Sequence, residues 1–310
     1  MSPRALAIFL FFLLWFLAAP KGLAQSKSIA QLLGYPADSK LLILHADDLA
    51  VSHSVNAASL AALDTNAVTS ASVMVPCPWL TEVASYAKSH RDADLGLHLT
   101  LTSEWETYRW GPVESTDKVS SLLALDGYLW PATESAAQNI KVEEVEREIH
   151  AQIDRAIVLG IRPTHLDSHM GVLFATPQLF SVFVKVAHEY KLPFLAVRVT
   201  DERSRLLSLF SEKDIVLDSL VMADPSVTLG TWEKFYASAI RNLKSGLTEI
   251  IVHLGHDDAE LQAVTFGHPE YGAAWRQRDF DVVTSSAFKK LLEENHVVLV
   301  RWRDLGKLLQ

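Results

Sequence analysis

"KLLILHADDLAVSHSVNAASLAALD", residues 40–64, runs from an aliphatic stretch into a helix-like one through two adjacent aspartates, Asp47 and Asp48. Residues 40–46 read as a buried strand and 52–65 as a helix. The same alternation continues along the chain. Apolar, β-branched runs at 68–75, 94–101, 163–169, 194–200, 214–220, 248–255 and 296–302 read as strands, and 78–90, 176–190, 230–245 and 284–294 as helices. The clearest helix is "KVEEVEREIHAQIDRAIVLG" (141–160), in which Val142, Val145, Ile149, Ile153 and Ile157 recur every three or four residues before a stop at Gly160. Seven or eight such units predict an α/β barrel, closed or nearly so, with a doubly wound sheet as the alternative. In either fold ligands gather beyond the C-terminal ends of strands, where Asp47 and Asp48 stand.

The chain has 310 residues, 49% of them hydrophobic, and a formal charge of −9. Arg4 precedes the apolar run Ala5–Ala19, followed by Pro20, Lys21 and the small-residue site Gly22-Leu23-Ala24. That layout predicts a signal peptide over 1–24 and a secreted or periplasmic protein, with no stable membrane insertion after cleavage; an uncleaved anchor is the alternative. Cleavage would remove two positive charges and no acids, taking the net charge from −9 to −11. Without a basic cluster, nucleic acid is excluded as a partner. Residues 25–310 contain no linker-like composition or repeat and are expected to form one domain. Cys77 is the sole cysteine, so no internal disulfide exists, and it reads as a small buried residue.

Segment 102–138 interrupts the alternation and carries Trp105, Tyr108, Trp110 and Trp130. A segment this long without an obvious element is usually functional or disordered. Its aromatic faces suit a sugar ring, or they anchor the excursion against the barrel.

Two adjacent carboxylates raise each other's pKa unless a cation intervenes. With a divalent ion, one can ligate while the other moves a proton. The alternative makes Asp48 a helix N-cap beside an exposed Asp47. Other stretches favour the ion. In "DLGLHLTL" (94–101) the leucines alternate with Gly96, His98 and Thr100, so His98 faces away from them, although taken alone it reads more readily as a hydrogen-bonded core histidine than as a ligand. In "RPTHLDSHMG" (162–171), Pro163 disfavours helix at Arg162, and extended geometry then puts His165, Asp167 and His169 on one side. Three ionisable groups at alternate positions are hard to explain as packing.

"HADDLA", "GLHLTLTSEW", "RPTHLDSHMG" and "EIIVHLGH", in this order, resemble the motifs of the YdjC-like carbohydrate deacetylases from about residue 38 onward. The resemblance implies a distorted (β/α) TIM-like barrel with seven or eight mostly parallel strands. It implies removal of the acetyl group from N-acetylated amino sugars or oligosaccharides with one divalent metal ion. By position, Asp48, His98 and His169 would be the metal ligands, Asp47 the general base and His253 the proton donor. His165 and Asp167 would orient a ligand imidazole, although the His-x-x-x-His spacing keeps His165 as an alternative ligand. The chain departs from the family at Leu49-Ala50, where Phe-Gly is frequent, and at Gly171, where many members have histidine. His256 and His268 read as surface groups; Arg198 either pairs with a site carboxylate or packs. A His2Asp set accepts magnesium or zinc among other ions, so the metal is left open. The rival readings are another metal-dependent hydrolase, such as a phosphoesterase or amidohydrolase, and a sugar-binding protein without turnover.

Overall fold

A computed structural model describes residues 27–198 and 208–309. The leader expected over 1–24 and the end of the strand expected over 194–200 lie outside the described residues. Among the described residues are seven strands, β1 (Lys40–Leu49), β2 (Ser70–Val73), β3 (Leu95–Leu99), β4 (Leu166–Ser168), β5 (Ser219–Met222), β6 (Gly246–Val252) and β7 (Val297–Leu299). Helices α1 (Ile29–Leu32), α2 (His53–Asp64), α3 (Leu80–Ser89), α4 (Thr133–Asn139), α5 (Val142–Leu159) and α6 (Pro177–Tyr190) fall in the first part. They are followed by α7 (Trp232–Arg241), α8 (Ala259–Val264), α9 (Ala273–Val283), α10 (Ser286–Glu294) and α11 (Trp302–Gly306).

Every strand pairing is parallel, in the order β4-β3-β2-β1-β6-β5, with β7 beside the first residues of β1. The sheet curls into a half-barrel. Between β4 and β5, among the described residues, only single pairings, Leu166 with Phe194 and Val197 with Leu217, carry the curve onward. The strand expected over 194–200 is thus reduced, in its described part, to isolated bridges. The one expected over 214–220 is displaced to Ser219–Met222.

β1 is the spine of the sheet, and all its residues after Lys40 are buried. Leu42, Leu44 and Ala46 pack into the large cluster shared with the helices, whereas Leu41 and Ile43 pack with Leu217, Leu247, Val300 and Trp302. Burial of each such leucine or isoleucine contributes about 1.5–3 kcal/mol. By the period of two, His45 and Asp47 continue the face of Leu41 and Ile43.

Local signals explain the helices that carry this sheet. Ser52 caps α2 through a bond from the Val55 N–H, Thr176 and Pro177 open α6, and left-handed Gly160 (φ 94°) closes α5. In α5 the buried face is Val145, Ile149, Ile153 and Ala156 together with Glu148 and Gln152. Ile157, expected on the same stripe, is exposed because steps of four drift off a 3.6-residue turn.

Segment 102–138 is ordered against this frame. The Glu148 carboxylate accepts the Val113 and Glu114 N–H groups at 2.8 and 2.9 Å, and Glu144 accepts that of Ser121 at 2.7 Å. Its last residues form α4. Cys77 is buried, and no described helix is long and apolar enough to cross a membrane.

Gly96 in β3 lies under His165: a β-carbon there would fall 2.3 Å from the ring. Gly96→Ala should therefore destabilise the protein by about 1–3 kcal/mol, read as a lower urea midpoint; an unchanged midpoint would mean that His165 moves aside freely.

Candidate active site

In a regular strand, neighbouring side chains point to opposite faces, which would send Asp47 and Asp48 apart. β1 avoids this. It pairs His45 with Ser70 and Ala46 with Ala71, but then Leu49 with Val73, so the register shifts across the aspartates. Asp48 takes φ 70° and Ala50 φ 79°. Left-handed backbone costs an L-residue about 1–2 kcal/mol. Buried Asn56 offsets part of it, its Oδ1 accepting the Ala50 N–H at 2.6 Å. Both carboxylates consequently face one ring: His98 Nε2 is 3.8 Å from Asp47 Oδ2 and 3.4 Å from Asp48 Oδ1.

His98 comes from β3 and His169 from the residue following β4. His169 Nδ1 also lies 3.4 Å from Asp48 Oδ1, and one donor atom from each of Asp48, His98 and His169 falls within 4.8 Å of the others. The opposite nitrogen of each ring is held by a carboxylate, His98 Nδ1 by Asp167 Oδ1 at 2.5 Å and His169 Nε2 by Glu104 Oε2 at 3.0 Å. Such outer partners fix the tautomer and aim of metal-ligating histidines. Asp48 Oδ2 accepts a hydrogen bond from Arg276 Nη2 at 2.7 Å, whereas buried Asp48 Oδ1 has no hydrogen-bond partner among the described residues. An orphaned carboxylate oxygen facing two oriented imidazole nitrogens fits a divalent cation.

Electrostatics hold Asp48 ionised. Burial raises its pKa, but Arg276 and His169 outweigh that and keep it well below the ordinary carboxylate range. Burial opposes protonation of His169, yet Glu104 and Asp48 push its pKa up to about 10. His98 is raised likewise, against burial, by Asp167 and Asp47. Both rings must lose a proton to ligate an ion.

His253 follows β6. Its ring Nε2 lies 4.0 Å from Asp47 Oδ2 and from Asp48 Oδ2, and it packs edge-on against Tyr271. Burial lowers its pKa to about 4, leaving a neutral ring at rest. Its backbone N–H donates to Asp279 Oδ2 at 2.9 Å, and Asp279 Oδ1 also accepts from Trp232 Nε1 and Tyr236 Oη. Asp279 thereby pins the start of the loop that carries the histidine.

His165 does not join Asp48, His98 and His169. It lies deeper, stacked on Trp302 with 5.2 Å between ring centroids, near His45 and Asp167. Trp105 and Trp110 are each 3% exposed. Trp105 carries the Arg276 guanidinium on its face at 5.7 Å, and Trp110 lies 6.3 Å from the His169 ring. Tyr108 and Trp130 are half-buried; Tyr108 Oη donates to Val51 O and Trp130 Nε1 to Ser121 O. Arg198 is exposed and pairs with Asp218, away from the cluster. His256 and His268 are half-buried and join no candidate ligand group among the described residues.

Arg276, Asp279 and Glu104 were not legible in the sequence. α9, which bears Arg276 and Asp279, buries both polar side chains beside Trp275 and Val283, so its apolar period is broken at the positions that serve the site. Glu104, six residues after His98, stands in "TLTSEW", where only its proximity to that histidine could have signalled it.

Removing one partner of a buried ion pair costs about 3–5 kcal/mol. Arg276→Met should lose that much stability in chelator, and saturating divalent metal should narrow the gap by supplying a new counter-charge to Asp48. Melting curves with and without metal check this; an equal gap in both would separate Arg276 from the ion site.

Residues 41–294 match the sequence profile of the family described as YdjC-like protein. A carbohydrate deacetylase of Thermus thermophilus is 39% identical over 153 residues, 49% of this chain and 52% of that protein. One of Thermoanaerobacter pseudethanolicus is 24% identical over 270 residues, 86% of this chain and 99% of that protein. The solved structure of an Enterococcus faecalis protein, described as a putative cellobiose-phosphate cleavage protein, superposes with a TM-score of 0.73 at 26% identity, covering 86% of this chain and 99% of that one. With a profile match spanning most of its length, the chain belongs to the YdjC-like family.

Proposed function

We propose that this protein is a metal-dependent carbohydrate deacetylase that hydrolyses the acetamide of N-acetylated amino sugars or their oligosaccharides. The carrying observation is the orphaned Asp48 Oδ1 facing His98 Nε2 and His169 Nδ1, with a second carboxylate, Asp47, beside it. The carbohydrate deacetylase relatives support the substrate class.

Asp48, His98 and His169 would hold one divalent ion, magnesium or zinc. Such an ion supplies acidity to the attacking water and stabilises negative charge on the amide oxygen. Asp47 does the proton work. Its Oδ2 accepts the proton of the water as oxygen attacks the acetyl carbon. The C–N bond then breaks, and the amine nitrogen must receive a proton to leave, yielding acetate and the free amino sugar. His253 Nε2, 4.0 Å from Asp47 Oδ2, stands where it can pass that proton to the amine. A ring that is neutral at rest can accept the proton from Asp47 before giving it up. Sugar contact falls to segment 102–138, where Tyr108 and Trp130 keep partly exposed rings, while Trp105 and Trp110 back Arg276 and His169. The leader-like residues 1–24 support export to the periplasm or outside the cell.

Acetate release from N-acetylglucosamine oligomers tests this reading. Asp47→Asn and His253→Gln should each lower kcat by about 10² to 10⁴-fold, the usual worth of a proton-transfer group. Wild-type turnover in Asp47→Asn would remove the base, and absence of any release by the wild-type protein would point to another hydrolase or a binding protein.

A further inference from the structure

β1 also delivers an imidazole that the scheme above does not use. His45 lies two residues before Asp47 on the same face and is wholly buried. Its Nδ1 is 3.0 Å from Ser70 Oγ. Its Nε2 sits between two carboxylates, 3.0 Å from Asp47 Oδ1 and 3.3 Å from Asp167 Oδ2. Ser72 Oγ donates to the same Asp47 Oδ1 at 3.0 Å. One oxygen of Asp47 is therefore gripped from two sides, and the other, Oδ2, is the one that faces His98 and His253. Asp167 in turn holds His98 through its second oxygen.

We propose that His45 is a positioning residue for the deacetylation, clamping Oδ1 of Asp47 so that Oδ2 alone meets the attacking water and tying that base to Asp167 and His98. The inference rests on the reading of Asp47 as the base. A histidine serving only to fill space would need no carboxylate at its tip. Here two carboxylates from different strands share one ring, and its loss would leave them facing each other in a dry interior. One donor atom from each of His45, His165 and Asp167 also lies within 4.8 Å of the others, and both Nε2 atoms lack a well-directed hydrogen bond among the described residues. A second cation there is the competing occupant. The clamp is favoured because His45 Nε2 already sits between the two carboxylates, 3.0 Å from Asp47 Oδ1 and 3.3 Å from Asp167 Oδ2, whereas His165 is turned toward Gly96.

The test compares His45→Leu and His45→Gln, alone and combined with Asp47→Asn, for kcat, KM, ion content and thermal stability. Misplacing a reacting group by about 1 Å can cost ~10²-fold, so His45→Leu should lower kcat by about 10 to 100-fold, with KM and ion content little changed. His45→Gln, whose amide N–H reaches toward the position of Nε2, should recover most of that loss. In the Asp47→Asn background, His45→Leu should add less than about twofold, because the group it acts through is gone. If His45→Leu does not fold, His45→Gln carries the comparison, with a smaller loss that likewise vanishes in the Asp47→Asn background. A full effect in that background, undiminished kcat in His45→Leu, or two ions in the wild type falling to one in the variants would overturn the clamp. Wild-type turnover in Asp47→Asn alone would instead bring down the base assignment, and the clamp with it.

Discussion

A register shift of the central strand across Asp47 and Asp48 is the constraint on which the site depends. Side chains alternate along a strand, so two adjacent aspartates ordinarily part company, one to the interior and one toward the helices. The shift between Ala46 and Leu49, with left-handed backbone at Asp48 and Ala50, brings both carboxylates to the same histidine. Strained conformations of this kind persist where the surroundings over-determine them. Here Asn56 from α2 grips the Ala50 amide, and Leu49 continues into the large core.

Convergence creates an electrostatic difficulty that the rest of the interior answers. Asp47, Asp48 and Asp167 are all buried, and carboxylates crowded into a dry interior need partners of opposite character. Each is met by a specific one: Asp48 by Arg276, Asp167 by His98, and Asp47 by His45 and Ser72. The partners come from α9, β3, β1 and β2, so the polar layer ties together elements far apart in sequence. Below it, Leu41, Ile43, Leu217, Leu247 and Trp302 close the interior with apolar packing. Asp48 Oδ1, buried and without a hydrogen bond among the described residues, lies where both ring nitrogens point. A cation there would complete the balance.

The parallel α/β architecture was legible because β1, β3 and β6 are buried runs and α5 and α6 have clear apolar stripes. The run at 194–200 carried the same signal, yet its described part, up to residue 198, yields single bridges at Phe194 and Val197, since aliphatic composition marks burial without guaranteeing a ladder. Asp47, Asp48, His98 and His169 stood out together, because charge at a strand end, on an alternating face and at alternate positions recurs in three separate stretches, although Asp48 alone also reads as a helix N-cap and His98 alone as a core histidine. His165 stood out for the same reason, yet it settles on Trp302 below the cluster, a difference of depth along one strand that spacing does not encode. Arg276, Asp279, Glu104 and His45 were silent. The first two interrupt the period of their own helix, Glu104 sits in a loop, and His45 looks like one polar residue in an aliphatic strand until its neighbours across the sheet are seen.

The decisive measurement is the ion content of protein purified without chelator, made side by side for the wild type and His98→Ala. One divalent ion per chain in the wild type, lost in the variant with the fold retained, is the expected result. Equal content in both, or none in the wild type after exposure to zinc and to magnesium, would contradict the convergence of Asp48, His98 and His169 on a single cation.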